Sequence, residues 1–190
     1  HPVAENELWD GPPHPAYLGY GWMRRYVEKL AEFVADRAPM RIIIVRAGAI
    51  YGPRDNFDPA TSHVVGALIR RAVEREKPFV VWGTGDEVRD LLHVEDFVAG
   101  SLLALSKGRS CDPINIASGE ATTVRDLARL ILELAGHNTE VRFDTGRPVA
   151  IPYRVLDISK ARRELGFAPG RGLAKGLTET IQWFRMQGST

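Results

Sequence analysis

Several residues could carry chemistry on their type and spacing alone. Tyr20 and Arg24 stand four apart, so on a helix they share one face. A cation beside a phenol favours the phenolate and makes such a pair a usable acid/base. The same spacing also fits a helix with a buried tyrosine and a solvated arginine. His63 opens a predicted helix, and an imidazole titrates near neutrality, which suits proton transfer. A helix-start histidine bonded to backbone is its plainer reading. Arg71 and Arg89 each offer a planar fork of donors that matches phosphate oxygens, though for either alone a surface arginine is the plainer reading. Trp82, where a short strand stops, could stack on a ring or fill a core.

The elements that must position these residues follow from periodicity. Apolar residues at helical spacing (Tyr20, Met23, Val27, Leu30, Ala31, Val34) predict a helix over about 16–35. The run Ile42–Val45 predicts a strand buried on both faces, as in a parallel sheet, and Tyr51-Gly52-Pro53 marks the turn leaving it. Ligands of open α/β sheets bind beyond the carboxyl ends of strands, so residues 51–57 should border a site. A helix is expected from about 62 to 76, a strand over 79–82, an extended piece over 88–94 and a helix over 95–106. A strand at 113–117 should run parallel to the first. Thr122 or Thr123 should cap the helix that Gly136 ends. A strand at 140–143, a loop over 144–156 holding Arg147, Pro148 and Pro152, and helices at about 159–165 and 173–186 complete the pattern. His93 and Asp96 read as loop-fixing and helix-capping residues.

The composition is that of an ordinary globule, 44% hydrophobic and 26% charged. A net charge of +1 gives no pull toward nucleic acid or an anionic membrane. The single cysteine, Cys111, excludes an intrachain disulfide and any multi-cysteine metal site. No His/Cys/Asp/Glu cluster has metal-ligand spacing, and no apolar run reaches the length of a membrane span. A cytoplasmic location is the expectation. The chain opens His1-Pro2-Val3 and shows no glycine-rich dinucleotide motif after a strand, so it is expected to be the back portion of a longer protein.

Taken in order, Tyr20-x-x-x-Arg24, a strand ending Tyr51-Gly52-Pro53, Arg89-Asp90-Leu91-Leu92-His93-Val94-Glu95-Asp96 and Asp157-Ile158-Ser159-Lys160 resemble the extended short-chain dehydrogenases that act on nucleotide sugars. Within that group the stretches 52–59, 61–64, 68–71, 80–85 and 89–96 are most similar to the GDP-L-fucose synthase family. The resemblance implies an α/β fold: the C-terminal part of a Rossmann-like parallel sheet plus a small mixed α/β substrate lobe. It assigns 1–53 and about 86–118 to the sheet, and 54–85 and about 119–190 mainly to the lobe.

The resemblance also implies roles. Tyr20 matches the catalytic tyrosine, and Tyr20 and Arg24 together the residues that touch the NADP (or NAD) cofactor. His63 matches the histidine acid/base of epimerisation, and Arg71 and Arg89 the diphosphate-holding arginines. Val64, Leu68 and Trp82 match the base pocket, and Arg147 a substrate-contacting cation. The family has Lys at the position of Arg24 and Asn at that of Ala49, and Arg for Lys is not conservative at a contact site. The implied activity is epimerisation and NADPH reduction of a nucleotide-linked 4-keto-6-deoxyhexose by a homodimer, with the 190-residue chain alone inactive. A plain 4-epimerase or dehydratase, or a non-catalytic nucleotide-sugar binding module, are the rival readings; His63 has no task in a 4-epimerase.

Overall fold

In the computed structural model, which describes residues 1–147 and 151–188, the first long element is α1 (Leu18–Ala35). It is entered through a 3-10 turn at Pro15–Tyr17, which apolar spacing does not distinguish from the helix. The first strand path follows as β1 (Val45–Ala47) and β2 (Ala49–Tyr51). Then come α2 (Val64–Val73), β3 (Phe79–Trp82), β4 (Val88–Arg89), β5 (Leu91–His93) and α3 (Val94–Lys107). After them are β6 (Ile114–Ile116), β7 (Thr122–Thr123), α4 (Val124–Leu134), β8 (Val141–Asp144) and β9 (Tyr153–Arg154). The helices α5 (Ser159–Leu165) and α6 (Leu173–Gln187) close the described chain.

The β1–β2 path changes partner half-way. β1 pairs in parallel with β6, as expected, and β2 pairs in parallel with β5. Gly48 sits at the change-over because a Cβ there would meet the Asp90 carbonyl at 3.1 Å and the Ala117 methyl at 3.2 Å. The small residues after Val45 therefore continue the strand rather than end it. Ile42–Ile44 lead in, with the Ile44 carbonyl accepting from Ile114 N–H at 3.0 Å. Burial on both faces is not what this path shows. Ile43 and Val45 lie half-buried against the α3 side, and no second strand pairs with β1 among the described residues. The expected apolar face of α1 is likewise uncovered: Tyr20, Met23, Val27 and Leu30 are exposed, and Arg25 is the buried member of the helix. What ties α1 down is polar, the Arg46–Glu28 fork (2.7 and 2.9 Å) and Arg25 donating to the Gly11 carbonyl.

Two apolar cores result. One packs α2, α4 and α6 around β3 and Tyr51, with Leu68, Ile69, Phe79, Leu127, Ile131 and Leu177 fully enclosed. The other packs α3 and α5 on β6 through Ile114, Ile116, Leu165 and Phe167. β3 and β8 pair in parallel, Phe79 opposite Val141. The helix ends are chemically specified. Thr123 caps α4, accepting the Asp126 amide at 3.0 Å while its hydroxyl donates to the Asp126 carboxylate at 2.6 Å. His93 caps α3, its Nδ1 accepting from Glu95 N–H at 3.3 Å, and Asp96 accepts the amides of Gly170 and Arg171.

The stretch 144–156 differs from the expected plain loop. It carries β9, which with β7 flanks β4 in a three-stranded sheet ordered β7-β4-β9. β9 is two residues long after Pro152, too short for alternation to announce it. Pro148 lies outside the described residues.

Candidate functional site

Arg89 is the centre of the site. β4 places it in register with Arg154 of β9 on one side and Thr122 of β7 on the other, so the two guanidinium-bearing residues are neighbours on one face of the sheet. Nη1 of Arg89 donates to the carbonyls of Val88 and Ile151, both at 2.8 Å, which fixes the head and leaves Nε and Nη2 as further donors. Burial pushes the Arg89 guanidinium down from its ordinary range. The Glu87 carboxylate and Tyr17 oppose that shift, and Arg154 adds to it. Tyr17 stands at the entry of α1, three residues before Tyr20, so the start of that helix comes within electrostatic reach of Arg89.

An open cavity of about 620 Å³ lies at the β3–β4 turn; neither Arg89 nor Arg154 lines it. His14 lines it from the entry of α1, Gly83, Thr84, Asp86 and Glu87 from the β3–β4 turn, and Thr145, Arg147 and Pro152 from the β8–β9 side. Glu87 and Pro152 each precede one of the paired arginines by two residues. The Glu87 carboxylate is buried and accepts the amides of Thr84 (3.1 Å) and Gly85 (3.0 Å), so it holds the turn in shape. Trp82, 57% exposed, ends β3 at this turn, and the Arg147 guanidinium lies 5.1 Å from its ring centroid. A larger open groove of about 900 Å³ runs along the end of α4 and β8 and includes none of the candidate residues.

The other candidates are distributed as follows. Tyr20 and Arg24 do meet: Nε of Arg24 donates to the Tyr20 hydroxyl at 2.9 Å, and the pair is exposed to solvent. Because arginine is the donor, the phenolic proton stays available to another acceptor. Tyr51, at the end of β2, is the opposite case. Burial first, then the Asp96 and Glu179 carboxylates, push its phenol far up, so it stays protonated. His63 is the N-cap residue of α2, is exposed, and makes no capping bond. The nearby Asp55 carboxyl is pushed up by burial; the Asn56 amide and His63 pull it back. Val64 is half-buried at the same helix end, whereas Leu68, only 3% exposed, belongs to the core and presents no surface to a ligand. Arg71 is not brought to Arg89. It lies two turns along α2, over the Phe79 ring, with its fork on Glu76 at 2.7 and 2.8 Å.

Sequence reasoning missed Arg154, Asp55 and His14. Arg154 sits in the stretch expected to be loop, and only the pairing of β9 with β4 brings it beside Arg89. Asp55 was within the quoted 52–59 motif, but its closeness to His63 depends on how that loop folds back.

The model of the NAD dependent epimerase/dehydratase family matches residues 2–117. This chain belongs to that family. It is 34% identical over 167 residues to a dTDP-4-dehydro-6-deoxy-D-allose reductase of Streptomyces bikiniensis, covering 88% of this chain and 50% of that protein. It is 33% identical over 187 residues to a probable GDP-L-fucose synthase 1 of Oryza sativa subsp. japonica, covering 96% of this chain and 57% of that one. Among solved structures, the UDP-glucose 4-epimerase of Thermotoga maritima with UDP-glucose superposes with a TM-score of 0.82 at 32% identity, covering 90% of this chain and 54% of that chain. The chain thus spans about half the length of the epimerase/dehydratase relatives it matches. No helix among the described residues is long and apolar enough to cross a membrane.

Proposed function

We propose that this chain supplies the substrate side of a nucleotide-sugar epimerase/reductase of the GDP-L-fucose synthase type. The observation that carries the reading is the register pair Arg89–Arg154, two residues along β4 and β9 from Glu87 and Pro152, which line a cavity of about 620 Å³. Adjacent guanidinium groups repel one another, and a diphosphate is an anion whose oxygens both can fork. The cavity is within the size range of small-molecule sites, roughly 300–1,000 Å³. Trp82, under Arg147, offers the base a ring to stack on, with Val64 at the neighbouring helix end. Leu68 acts behind that wall as packing. Arg71, its fork held by Glu76, has no part in the phosphate site in this reading.

The proposed reaction is epimerisation and reduction of a GDP-4-keto-6-deoxy-mannose. His63 shuttles protons at the carbons flanking the ketone, with Asp55 beside it to steady the imidazolium form. Tyr20 gives its proton to the oxygen at C4, and the Arg24 donor bond stabilises the oxygen left behind. The exposed Tyr20 hydroxyl and Arg24 head fit the ribose hydroxyls of a nicotinamide cofactor, NADP or NAD. No glycine-rich dinucleotide motif follows a strand among the described residues to take its pyrophosphate. When bound, NADPH supplies the hydride. Residues 54–85 and about 119–190 form the substrate lobe in this reading, 1–53 and about 86–118 the end of the cofactor sheet. The isolated chain binds the nucleotide sugar and turns nothing over. Its exposed α1 face (Trp22, Met23, Tyr26, Leu30, Phe33) pairs with a second copy.

A thermal-shift series with GDP, UDP, CDP and dTDP tests the binding reading. GDP is expected to raise the melting temperature most, and Arg89→Ala to abolish the rise. No shift with any of the four at millimolar concentration would sink it. NADPH oxidation by this chain with a 4-keto sugar would overturn the inactivity.

A further inference from the structure

Asp90 links β4 to β5 and is 1% exposed. Its carboxylate is saturated by neutral donors. Oδ1 accepts the Ser118 amide at 2.7 Å and the Ser118 hydroxyl at 2.6 Å, and Oδ2 accepts the amides of Gly119 at 3.1 Å and Leu156 at 3.2 Å. Its backbone is tied as well: the Asp90 N–H donates to the Arg154 carbonyl at 3.0 Å, and its carbonyl accepts from Ala49 N–H at 2.8 Å. A buried carboxylate is costly unless its lone pairs are filled, and here no cation does the filling. A residue that only closed the Ser118–Gly119 turn would not need the Leu156 bond. That fourth bond reaches two residues beyond Arg154, while Asp90 itself directly follows Arg89. One side chain therefore grips both strands that carry the arginine pair.

Apart from Asp90 and the Arg89 bond to Ile151, β9 is held by backbone bonds at its two ends. It is two residues long; Val88 N–H donates to the Pro152 carbonyl at 2.8 Å before it, and Val3 N–H to the Val155 carbonyl at 2.9 Å after it. We infer that Asp90 is a positioning residue for the Arg89–Arg154 cradle: its carboxylate sets the depth of β9 against β4, and so the spacing of the two guanidinium heads that take a diphosphate. This rests on the two-arginine reading above. Asp90→Asn keeps the shape but removes the charge: with its NH₂ toward Gly119 and Leu156 both of those bonds are lost, and with its NH₂ toward Ser118 the hydroxyl turns to accept, the Ser118 N–H bond is lost and the Leu156 amide keeps only a neutral oxygen.

The test uses the 190-residue chain and inorganic pyrophosphate, followed by calorimetry, together with hydrogen exchange at the Leu156 and Asp90 amides. Asp90→Asn is expected to weaken pyrophosphate binding about tenfold, the loss of one charge-assisted contact, and to speed exchange at Leu156 by a similar factor. In an Arg154→Ala background the same substitution should change affinity less than about twofold, because residues acting as one unit are non-additive. A purely structural role predicts additive effects and overturns the inference. So does unchanged exchange at Leu156, whatever happens to affinity. Should Asp90→Asn fail to fold, Ser118→Ala removes one donor and should move both readouts in the same direction by less; no movement in either overturns the inference. If the unaltered chain and Arg89→Ala bind pyrophosphate equally, or neither binds, the two-arginine reading falls and the inference with it.

Discussion

His93 should make the fold sensitive to mild acid. The ring ends β5 with its side chain wholly enclosed, and Nδ1 accepts the Glu95 amide, so a neutral ring carries its proton on Nε2. Nε2 finds no hydrogen-bond partner and stops 3.9 Å from Glu179. Glu179 is already taken by Arg171 at 2.5 and 2.6 Å, and Arg171 also reaches Glu95. Burial first, and the Arg171 guanidinium second, hold the His93 pKa below its ordinary value; Glu95, Glu179 and Asp96 pull the other way without winning. The unfolded chain therefore takes up the proton before the folded one does. Stability is full above the unfolded pKa of about 6.5 and falls as the pH drops below it, at a limiting slope of about 1.4 kcal/mol per pH unit. At pH 5.5 the loss approaches about 1.4 kcal/mol for a ring still neutral in the folded state. Urea unfolding from pH 7.5 to 5.5 measures this directly. His93→Asn keeps an acceptor for the cap and removes the titration, so the variant should be weaker at pH 7.5 yet show a flatter pH dependence. Parallel curves for the two proteins, or a wild type that gains stability as the pH falls, would falsify the assignment.

Gly176→Ala should destabilise the fold by roughly 1–3 kcal/mol, because a Cβ there drives into the Tyr51 hydroxyl and meets His93 at 3.0 Å. Tyr51→Phe in the same chain should recover part of that loss in denaturant unfolding, and no recovery would mean the clash is elsewhere. Thr123→Ala removes the α4 cap and should cost about 1 kcal/mol, read as a lower urea midpoint with an unchanged slope. Tyr26→Glu with Phe33→Glu should raise the monomer fraction in light scattering; a wild type that is already monomeric at high concentration refutes pairing through α1.

Most of the architecture was legible because its elements are specified locally. α4 shows Val124, Leu127, Leu130, Ile131 and Leu134 at helical spacing with Thr123 and Asp126 at its head, and the structure has each where the pattern puts it. That His93 and Asp96 fix a loop and cap a helix was equally readable from their place at a helix start, His93 before its first turn and Asp96 within it. The site was only partly legible. Trp82 and Arg147 are sixty-odd residues apart in the chain and meet because β3 and β8 pair. Arg154 becomes a candidate only through a two-residue strand whose register no local pattern declares. Leu68 was misplaced for a related reason: helical spacing puts it on an apolar face with Val64, but not which end of that face meets solvent. Arg71 shows a different limit, since the Glu76 that takes its fork comes from the turn after the helix, outside any i,i+4 pattern.

The distribution of burial bears on how such a site could work. Leu68, Phe79 and Leu127 make the lobe behind the cavity rigid, whereas Tyr20 and Arg24 ride on a helix held mainly by ion pairs and a few polar contacts. The groups proposed to bind, Trp82, Arg89 and Arg154, stand at the surface in front of that core. The groups proposed to exchange protons sit on its open border, where a hydroxyl can meet successive partners. The arginine pair stands between these two regimes. Arg89 is anchored by two carbonyls and lowered by burial, and Arg154 is exposed. An anion arriving there gains one preset fork and orders a second, and the repulsion between the two heads is what its charge relieves. In the proposed reading, specificity for a diphosphate over a single phosphate follows from spacing rather than from charge alone. On the inference drawn for Asp90, that spacing is held through its carboxylate, which accepts the Leu156 amide, and not by a contact between the guanidinium groups themselves.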